Sequence, residues 1–250
     1  MELVIGIDIL CRLGKLMYNR TVILSVDDHP NYFGYLPYTQ KAWNVFGWNT
    51  LTFYLGAKQG SIVNVDKGHE LNKVAGLRRN ALYRDCSIVQ VSRLLCGHFA
   101  DGLLMLGDAD MIPLSNYWNP ASDVVTCYRH YNSSGDQISM CYVAAPAAIW
   151  RRMFPEKTIE ELLKNNEDVR SNDFNRWWFT DQRLLTSRIA GKEKHVNIYR
   201  ESSRHGRAAG RIDRLDWEGT FRDPGIKIDA HMPHPFNQIE AERIMRLINA

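Results

Sequence analysis

No run of about 18 uninterrupted apolar residues, the length a membrane-spanning helix needs, occurs in the 250-residue chain, so no transmembrane segment is expected. Cysteine is sparse and unpatterned. Cys11, Cys86, Cys96, Cys127 and Cys141 are odd in number, irregularly spaced and without a CxxC pair, which argues against a disulfide framework and against a thiolate zinc site. An excess of one charge is also lacking: 31 Lys and Arg stand against 28 Asp and Glu, a formal +3, so no nucleic-acid-binding surface is expected, while anionic small molecules remain open as partners. Internal repeats and low-complexity tracts are absent. Residues 1–20 carry Glu2 and Asp8 and break their apolar run at Arg12, which is not the order of a secretory signal. The expectation is a cytoplasmic protein, with a peripheral membrane contact left open.

What the chain does contain is 45% hydrophobic and 24% charged residues, the balance of a globular core. At this length one domain spanning 1–250 is expected, and it needs no disulfide or structural metal to fold. Residues 21–26 (TVILSV) are β-branched and apolar throughout, as a strand buried on both faces requires, and stop at Asp27-Asp28-His29-Pro30. A helix follows, with Pro37 in its first turn, Tyr38, Ala42 and Val45 at helical spacing, and Gly47 as its stop. Residues 50–55 (TLTFYL) then read as a strand, and 61–65 as a short one. Val91, Leu94, Leu95 and Phe99 share a helical face in 87–100, which feeds a core strand at 102–106. Strand, helix and strand in alternation predict an α/β fold, whose ligands sit beyond the carboxyl ends of the strands. The loops after Val26 and Leu106 are therefore the places to expect a site. Further on, 138–145 reads as a strand, 147–154 as a helix, Thr158 to Glu161 as a capping box opening a helix to about 165, 179–190 as a helix, 201–210 as a polar loop, and 237–248 as a C-terminal helix.

The central motif is LLMLGDADMIPL, in which Asp108 and Asp110 follow an apolar strand. Seventeen aspartates make about one DxD by chance, so position carries the weight. Two carboxylates separated by one residue at a strand's end can face one pocket, and Mg²⁺ or Mn²⁺ takes oxygen ligands of this kind. The other reading is a solvated turn.

With VSRL on the preceding helix, this stretch resembles the GT-A class of nucleotide-sugar glycosyltransferases, and within it the glycogenin-like and lipopolysaccharide galactosyltransferase group. The resemblance extends more loosely to 138–150 and to Thr180-Asp181-Gln182-Arg183-Leu184-Leu185, and covers roughly 21–185. It implies a GT-A, Rossmann-like α/β fold with a mainly parallel central sheet flanked by helices, a nucleotide-binding part at about 20–115 and an acceptor-side part at about 116–250. The activity implied is transfer of a sugar from a nucleoside-diphosphate sugar, a UDP-sugar first, to a glycan or glycoconjugate hydroxyl.

Carried across residue by residue, the resemblance makes Asp108 and Asp110 metal ligands, with Ala109 and Asp108 against the donor and Arg93 near its phosphates or sugar. Arg93 reads otherwise as a surface residue. Asp27 and Asp28 fall in the loop that holds the nucleotide, where carboxylates accept from a uracil N–H or ribose hydroxyl, although Asp28-His29-Pro30 reads equally as a turn. The third ligand is expected from Asp229-Ala230-His231-Met232-Pro233-His234, with His231 favoured over His234, though the Gly and Lys that follow this histidine in the group are missing. Asp181 is the acceptor-side candidate beside Trp177 and Trp178: a general base in an inverting enzyme, or a group that positions substrate and stabilises positive charge in a retaining one. Alternatively, the indoles pack in the core and Asp181 caps a helix. Ser139 to Tyr142 departs from the group's Asn-x-Gly segment, so the donor sugar does not carry over. Arg207, Arg211, Asp213, Arg214 and Asp216 form a mixed-charge run that could bind acceptor or diphosphate, but most such runs are solvated faces, and no role is assigned to it. Two further functions compete: a haloacid-dehalogenase-type phosphatase, which also places two acids after an apolar strand, and a non-catalytic nucleotide-sugar-binding module.

Overall fold

The computed structural model describes residues 20–56, 72–80, 82–120, 123–130, 137–164, 166–192, 196–200, 210–214, 217 and 227–248. The strand expected at 61–65, most of the loop at 201–210, and Arg207 and Asp216 lie outside them.

Strand β1 (Arg20–Asp27) is flanked by β2 (Asn49–Leu55) on one side and β4 (Leu103–Leu106) on the other, both parallel to it. Beyond β2 lies β3 (Asn72–Gly76), again parallel. Beyond β4 come β7 (Val143–Pro146), β6 (Val125–His130) and β8 (Val196–Arg200), giving a seven-stranded sheet in the order β3-β2-β1-β4-β7-β6-β8. Only β7 runs against the others. The chain builds outward from β1 through β2 to β3 and then returns to β1's other side with β4. The order thus reverses between β1 and β4, and a crevice opens beyond the carboxyl ends of strands at such a point.

Both faces of β1 are buried, which is why its sequence is apolar without alternation. Ile23, Leu104 and Leu106 join a core with Ile88, Val91, Leu94 and Leu95 on one face. Val22, Leu24, Val26 and Met105 point the opposite way, into an aromatic core of Trp43, Trp48, Trp118 and Tyr142. The second face is covered by α1 (Leu36–Val45), which has Pro37 in its first turn and is followed by Gly47 at φ 78°. Its buried residues are Leu36, Thr39, Gln40, Ala42 and Trp43, whereas Val45 is exposed; the expected apolar stripe was rotated because Trp43 dominates the packing. The first face is covered by α2 (Asp85–Ser92), which tightens into a 3-10 stretch, Arg93–His98, and by α3 (Ala147–Met153). One continuous α-helix over 87–100 was expected; the tighter turn brings Gly97 onto α3. Residues 138–142 are not strand: β7 begins at Val143, and Tyr142 sits at φ 61° beneath Trp118, ring centroids 3.8 Å apart.

Helix α4 (Ile159–Leu163) is capped by Thr158, whose hydroxyl accepts from the Glu161 amide, while the Glu161 carboxylate reaches back to the Lys157 amide, one residue earlier than in a reciprocal capping box. Short α5 (Phe174–Trp178) and α6 (Thr180–Lys192) follow. A second, three-stranded sheet was not foreseen. In it β5 (Met111–Pro113) pairs antiparallel with β10 (Asp229–His231), which pairs parallel with β9 (Arg211–Ile212). The C-terminal helix α7 (Gln238–Ile248) closes this sheet through Ala241 and Ile244. This small sheet draws residues from the end of the chain to the segment just past Asp110.

Gly97 is required by contact. A Cβ there would stand 2.7 Å from the Ala147 carbonyl oxygen and 2.9 Å from the Arg151 amide nitrogen, both backbone atoms that cannot swing aside. Gly97→Ala is expected to lower stability by about 1–3 kcal/mol, read as a fall in urea midpoint with unchanged m; an unchanged midpoint would show that α3 does not pack as described.

Candidate functional site

A cleft of about 480 Å³ opens where the sheet order reverses, within the size range of small-molecule sites. Its walls come from the end of β1 and the following loop (Val26, Asp27, His29, Asn31, Tyr32), from α2 (Val89, Gln90) and Arg93, from Asp108, Ala109 and Asp110 after β4, from Ser139 and Met140, from Trp178, Asp181 and Gln182, and from Arg214 and His231. Both loops expected to hold the site therefore reach it.

Arg93 is buried, not a surface residue. Its Nη1 donates to the Gly107 carbonyl at 2.8 Å and to Asp108 Oδ1, and its Nη2 donates to Asp181 Oδ2 at 3.1 Å. One guanidinium thus ties the strand exit to the first turn of α6. Burial alone would lower its pKa, but Asp108 and Asp181 outweigh this and raise it, so the charge is secure. The two acids differ in setting: the Asp108 side chain is 33% exposed and the Asp181 side chain 4%. Burial pushes Asp181 up to about 6, only partly opposed by Arg93 and by the Gln182 amide, which donates to its Oδ1 at 2.8 Å.

Asp110 turns away from Arg93. Its Oδ2 accepts from Arg214 Nη2 at 2.6 Å and lies 3.0 Å from His234 Nε2 and 3.6 Å from His231 Nε2. Burial raises its pKa, but the His234 hydrogen bond and the nearby Arg214 overcome this, so it is held below the usual carboxylate range. His231 is pushed down, first by burial and then by Arg214 and Arg211. Tyr32, edge-on to His234 with centroids 4.7 Å apart, is raised to about 12, chiefly by burial and then by Asp110. It stays a neutral hydroxyl in the cleft.

The two favoured acids are therefore brought to one cleft, and Ala109 lies between them with its carbonyl accepting from Thr39 Oγ1 at 2.6 Å. Asp27 reaches the cleft, with its Oδ1 accepting from the His29 amide. Asp28 is not among the lining residues: its Oδ1 accepts from the Tyr54 hydroxyl, as in the turn reading. Of the two histidines, both meet Asp110, and His234 is the nearer. Trp177 and Trp178 are half-buried on α5, and Trp178 stacks on exposed Phe174 at 5.4 Å, so they are not core residues as the alternative had it. Gln90 was overlooked, although it stands one helical turn before Arg93 and shares its face. Arg214 was set aside as part of a charged run; nothing in its sequence neighbourhood marks it, because β9 and β10 carry it to Asp110.

Among the described residues no set of three or more His, Cys, Asp or Glu side chains is arranged as a metal cage. The donor types are nevertheless ones that a transition metal such as Mn²⁺ accepts: one carboxylate and two imidazoles gather around a single cationic group, which is the Arg214 guanidinium.

No protein-family model and no curated protein matches the chain. Solved structures share its fold, two glycosyltransferases among them. The galactosyltransferase LgtC, in complex with donor and acceptor sugar analogs, aligns with a TM-score of 0.55 at 14% identity over 92% of this chain and 95% of that one. The glycosyltransferase GlyE of Streptococcus pneumoniae TIGR4 aligns with a TM-score of 0.54 at 10% identity over 92% of this chain and 63% of GlyE. At these identities the likeness is one of fold, and the mainly parallel, helix-flanked α/β sheet expected from the GT-A resemblance is the sheet observed.

Two outcomes follow from the Arg93 cluster. Arg93→Met leaves two acids and a carbonyl without their shared donor and is expected to lower stability by about 3–5 kcal/mol in denaturant titration. Burial holds Asp181 at about 6 in the folded chain, above the ordinary aspartate value of 3.8. The folded state therefore binds more protons between those values, and stability falls as pH rises through that window. The stability difference between wild type and Asp181→Asn, from urea midpoints at pH 4 to 7, should shrink with rising pH; a difference independent of pH would contradict the assignment.

Proposed function

We propose that the chain is a glycosyltransferase that takes a nucleoside-diphosphate sugar, first a UDP-sugar, and transfers the sugar to a hydroxyl of a glycan or glycoconjugate with Mn²⁺ or Mg²⁺ as cofactor. The observation that carries this reading is the meeting of Asp108, Ala109 and Asp110 with the end of β1 in one cleft at the reversal of the sheet order. A galactosyltransferase and a glycosyltransferase are among the solved structures with this fold, which supports the same reaction class. We take 1–250 as one such domain, with donor residues in 20–115 and acceptor residues in 116–250.

On this reading Asp27 accepts from the nucleoside, at a ribose hydroxyl or base N–H. Asp110, His231 and His234 hold the cation, with Asp108 across Ala109. When bound, the cation offsets negative charge on the departing diphosphate. Arg93, fixed by Asp108 and Asp181, places a permanent positive charge at the same end of the cleft. Asp181 is buried and engaged by Arg93, which favours orienting that guanidinium and stabilising positive charge at the anomeric carbon over acting as a free base. Trp178 and Phe174 offer apolar faces to an acceptor sugar at the rim.

The phosphatase reading needs a free nucleophilic carboxylate, yet Asp108 is engaged by Arg93 and Asp110 by Arg214 and His234. No helix of the described residues is long and apolar enough to cross a membrane. A cytoplasmic setting belongs to the proposal, supported by free Cys86, Cys96, Cys127 and Cys141.

A thermal-shift screen of nucleotide sugars with and without Mn²⁺ tests the reading. A cognate donor at a hundredfold excess over its Kd adds about 2.7 kcal/mol, a rise of about 5–10 °C for a chain this long. Asp110→Asn should abolish the Mn²⁺-dependent part of that rise and slow donor hydrolysis about 100-fold or more. Binding without turnover would point to the non-catalytic module, and phosphate release from simple monoesters would overturn the proposal.

A further inference from the structure

Arg214 uses three N–H groups on the residues around Asp110. Nη2 donates to Asp110 Oδ2 and to His231 Nε2, and Nη1 donates to His234 Nδ1 at 3.1 Å. Since Arg is a donor only, each imidazole presents a lone pair to it. His234 then carries its proton on Nε2, where it faces Asp110 Oδ2 at 3.0 Å. Two imidazole nitrogens and a carboxylate oxygen are thus aimed at one positive group, the kind of donor set a divalent cation takes. The single negative charge of Asp110 is already balanced by Arg214. The Arg214 Nε–H, in contrast, is buried with no acceptor, so this arrangement does not use every guanidinium donor. The residue also lines the cleft, 31% exposed at its side chain.

We propose that Arg214 is an internal occupant of the cation position and that Mn²⁺ and a nucleoside diphosphate displace it jointly, so that the two bind as a positively linked pair. This rests on the reading of the cleft as a nucleotide-sugar site. Mn²⁺ cannot enter beside Asp110 while a guanidinium stands there, because like charges would meet at hydrogen-bond range. Arg214 cannot leave Asp110 at little cost unless another anion receives its fork, and a diphosphate in the same cleft is such an acceptor. Each ligand therefore removes what opposes the other. Arg214 is on this account a positioning residue for cation and phosphate, set by its distance to Asp110.

The test is Mn²⁺ binding, followed by the loss of the free aqueous Mn²⁺ electron paramagnetic resonance signal, with UDP as the nucleoside diphosphate probe. Wild type should bind Mn²⁺ weakly alone and more tightly with UDP, by a factor in the usual range of linkage, roughly 5–150-fold. Arg214→Met should bind Mn²⁺ more tightly than wild type without UDP, by a similar factor, and lose most of the UDP dependence. Arg214→Lys, which keeps the charge without the fork, should fall between them, and it answers the question if the Met variant does not fold. Equal or weaker Mn²⁺ binding by the Met variant, or by the Lys variant in that event, overturns the proposal. If binding is unchanged at Arg214 yet abolished by Asp110→Asn, the cation site stands and only the role of Arg214 falls. If no variant and not the wild type binds Mn²⁺ with or without UDP, the cation part of the proposed function falls with it.

Discussion

A carboxylate taken out of water must be met by a positive charge and hydrogen bonds, or it will not stay ionised. Two carboxylates follow β4 within three residues of each other, Asp110 buried and Asp108 partly exposed, and the protein answers each with a different arginine: Arg93 for Asp108 and Arg214 for Asp110. The two arginines come from opposite sides. Arg93 stands where α2 tightens, on the face of the sheet covered by α3, while Arg214 follows β9 in the small second sheet. The segment 108–110 is thereby held from both sides, and the cleft takes its shape from those two pairings. A stretch of backbone that would otherwise be a solvated turn becomes a wall with alternating charge.

The small sheet makes this possible. Residues 211–214 and 227–234 would have no reason to approach Asp110 without the backbone pairing of β10 with β5, where His231 lies opposite Met111, and without the Met232 amide donating to the Asp110 carbonyl at 2.9 Å. Its own interior is pinned by a buried pair, Arg211 with Asp229, at 2.7 Å. Such a pair adds little net stability but fixes which residues are neighbours, and here it sets the register of β9 beside β10 on which the position of Arg214 depends.

The long buried elements were legible in the sequence because they carry the strongest signals. Residues 21–26 and 50–55 are apolar on both faces, and Pro37 and Gly47 bracket α1. The strand leading to Asp108 and the helix before it were legible for the same reason, and so was the location of the site beyond the ends of β1 and β4. Three elements of the small sheet were not. Strands of two or three residues, such as Arg211–Ile212, are too short for any period to show, and β3 (NKVAG) lacks a continuous apolar run. At the site, Asp108, Asp110, Arg93 and Asp181, each singled out separately in the sequence, line one cleft, but nothing in the sequence marks Arg93 as the donor that joins Asp108 to Asp181. Asp27 is the last residue of β1 and lines the cleft, whereas Asp28, just past the strand, is turned to the Tyr54 hydroxyl. Arg214 lies 104 residues from Asp110, and only the fold brings them together.

The account rests on the claim that the cleft between the ends of β1 and β4 receives a diphosphate against residues 108–110. A crystal structure of the protein with Mn²⁺ and UDP addresses this most directly. The diphosphate should lie over Ala109, between Asp108 and Asp110, with Arg93 still joined to Asp108 and Asp181. Nucleotide bound elsewhere on the molecule, with this cleft left empty at saturating UDP and Mn²⁺, would contradict it.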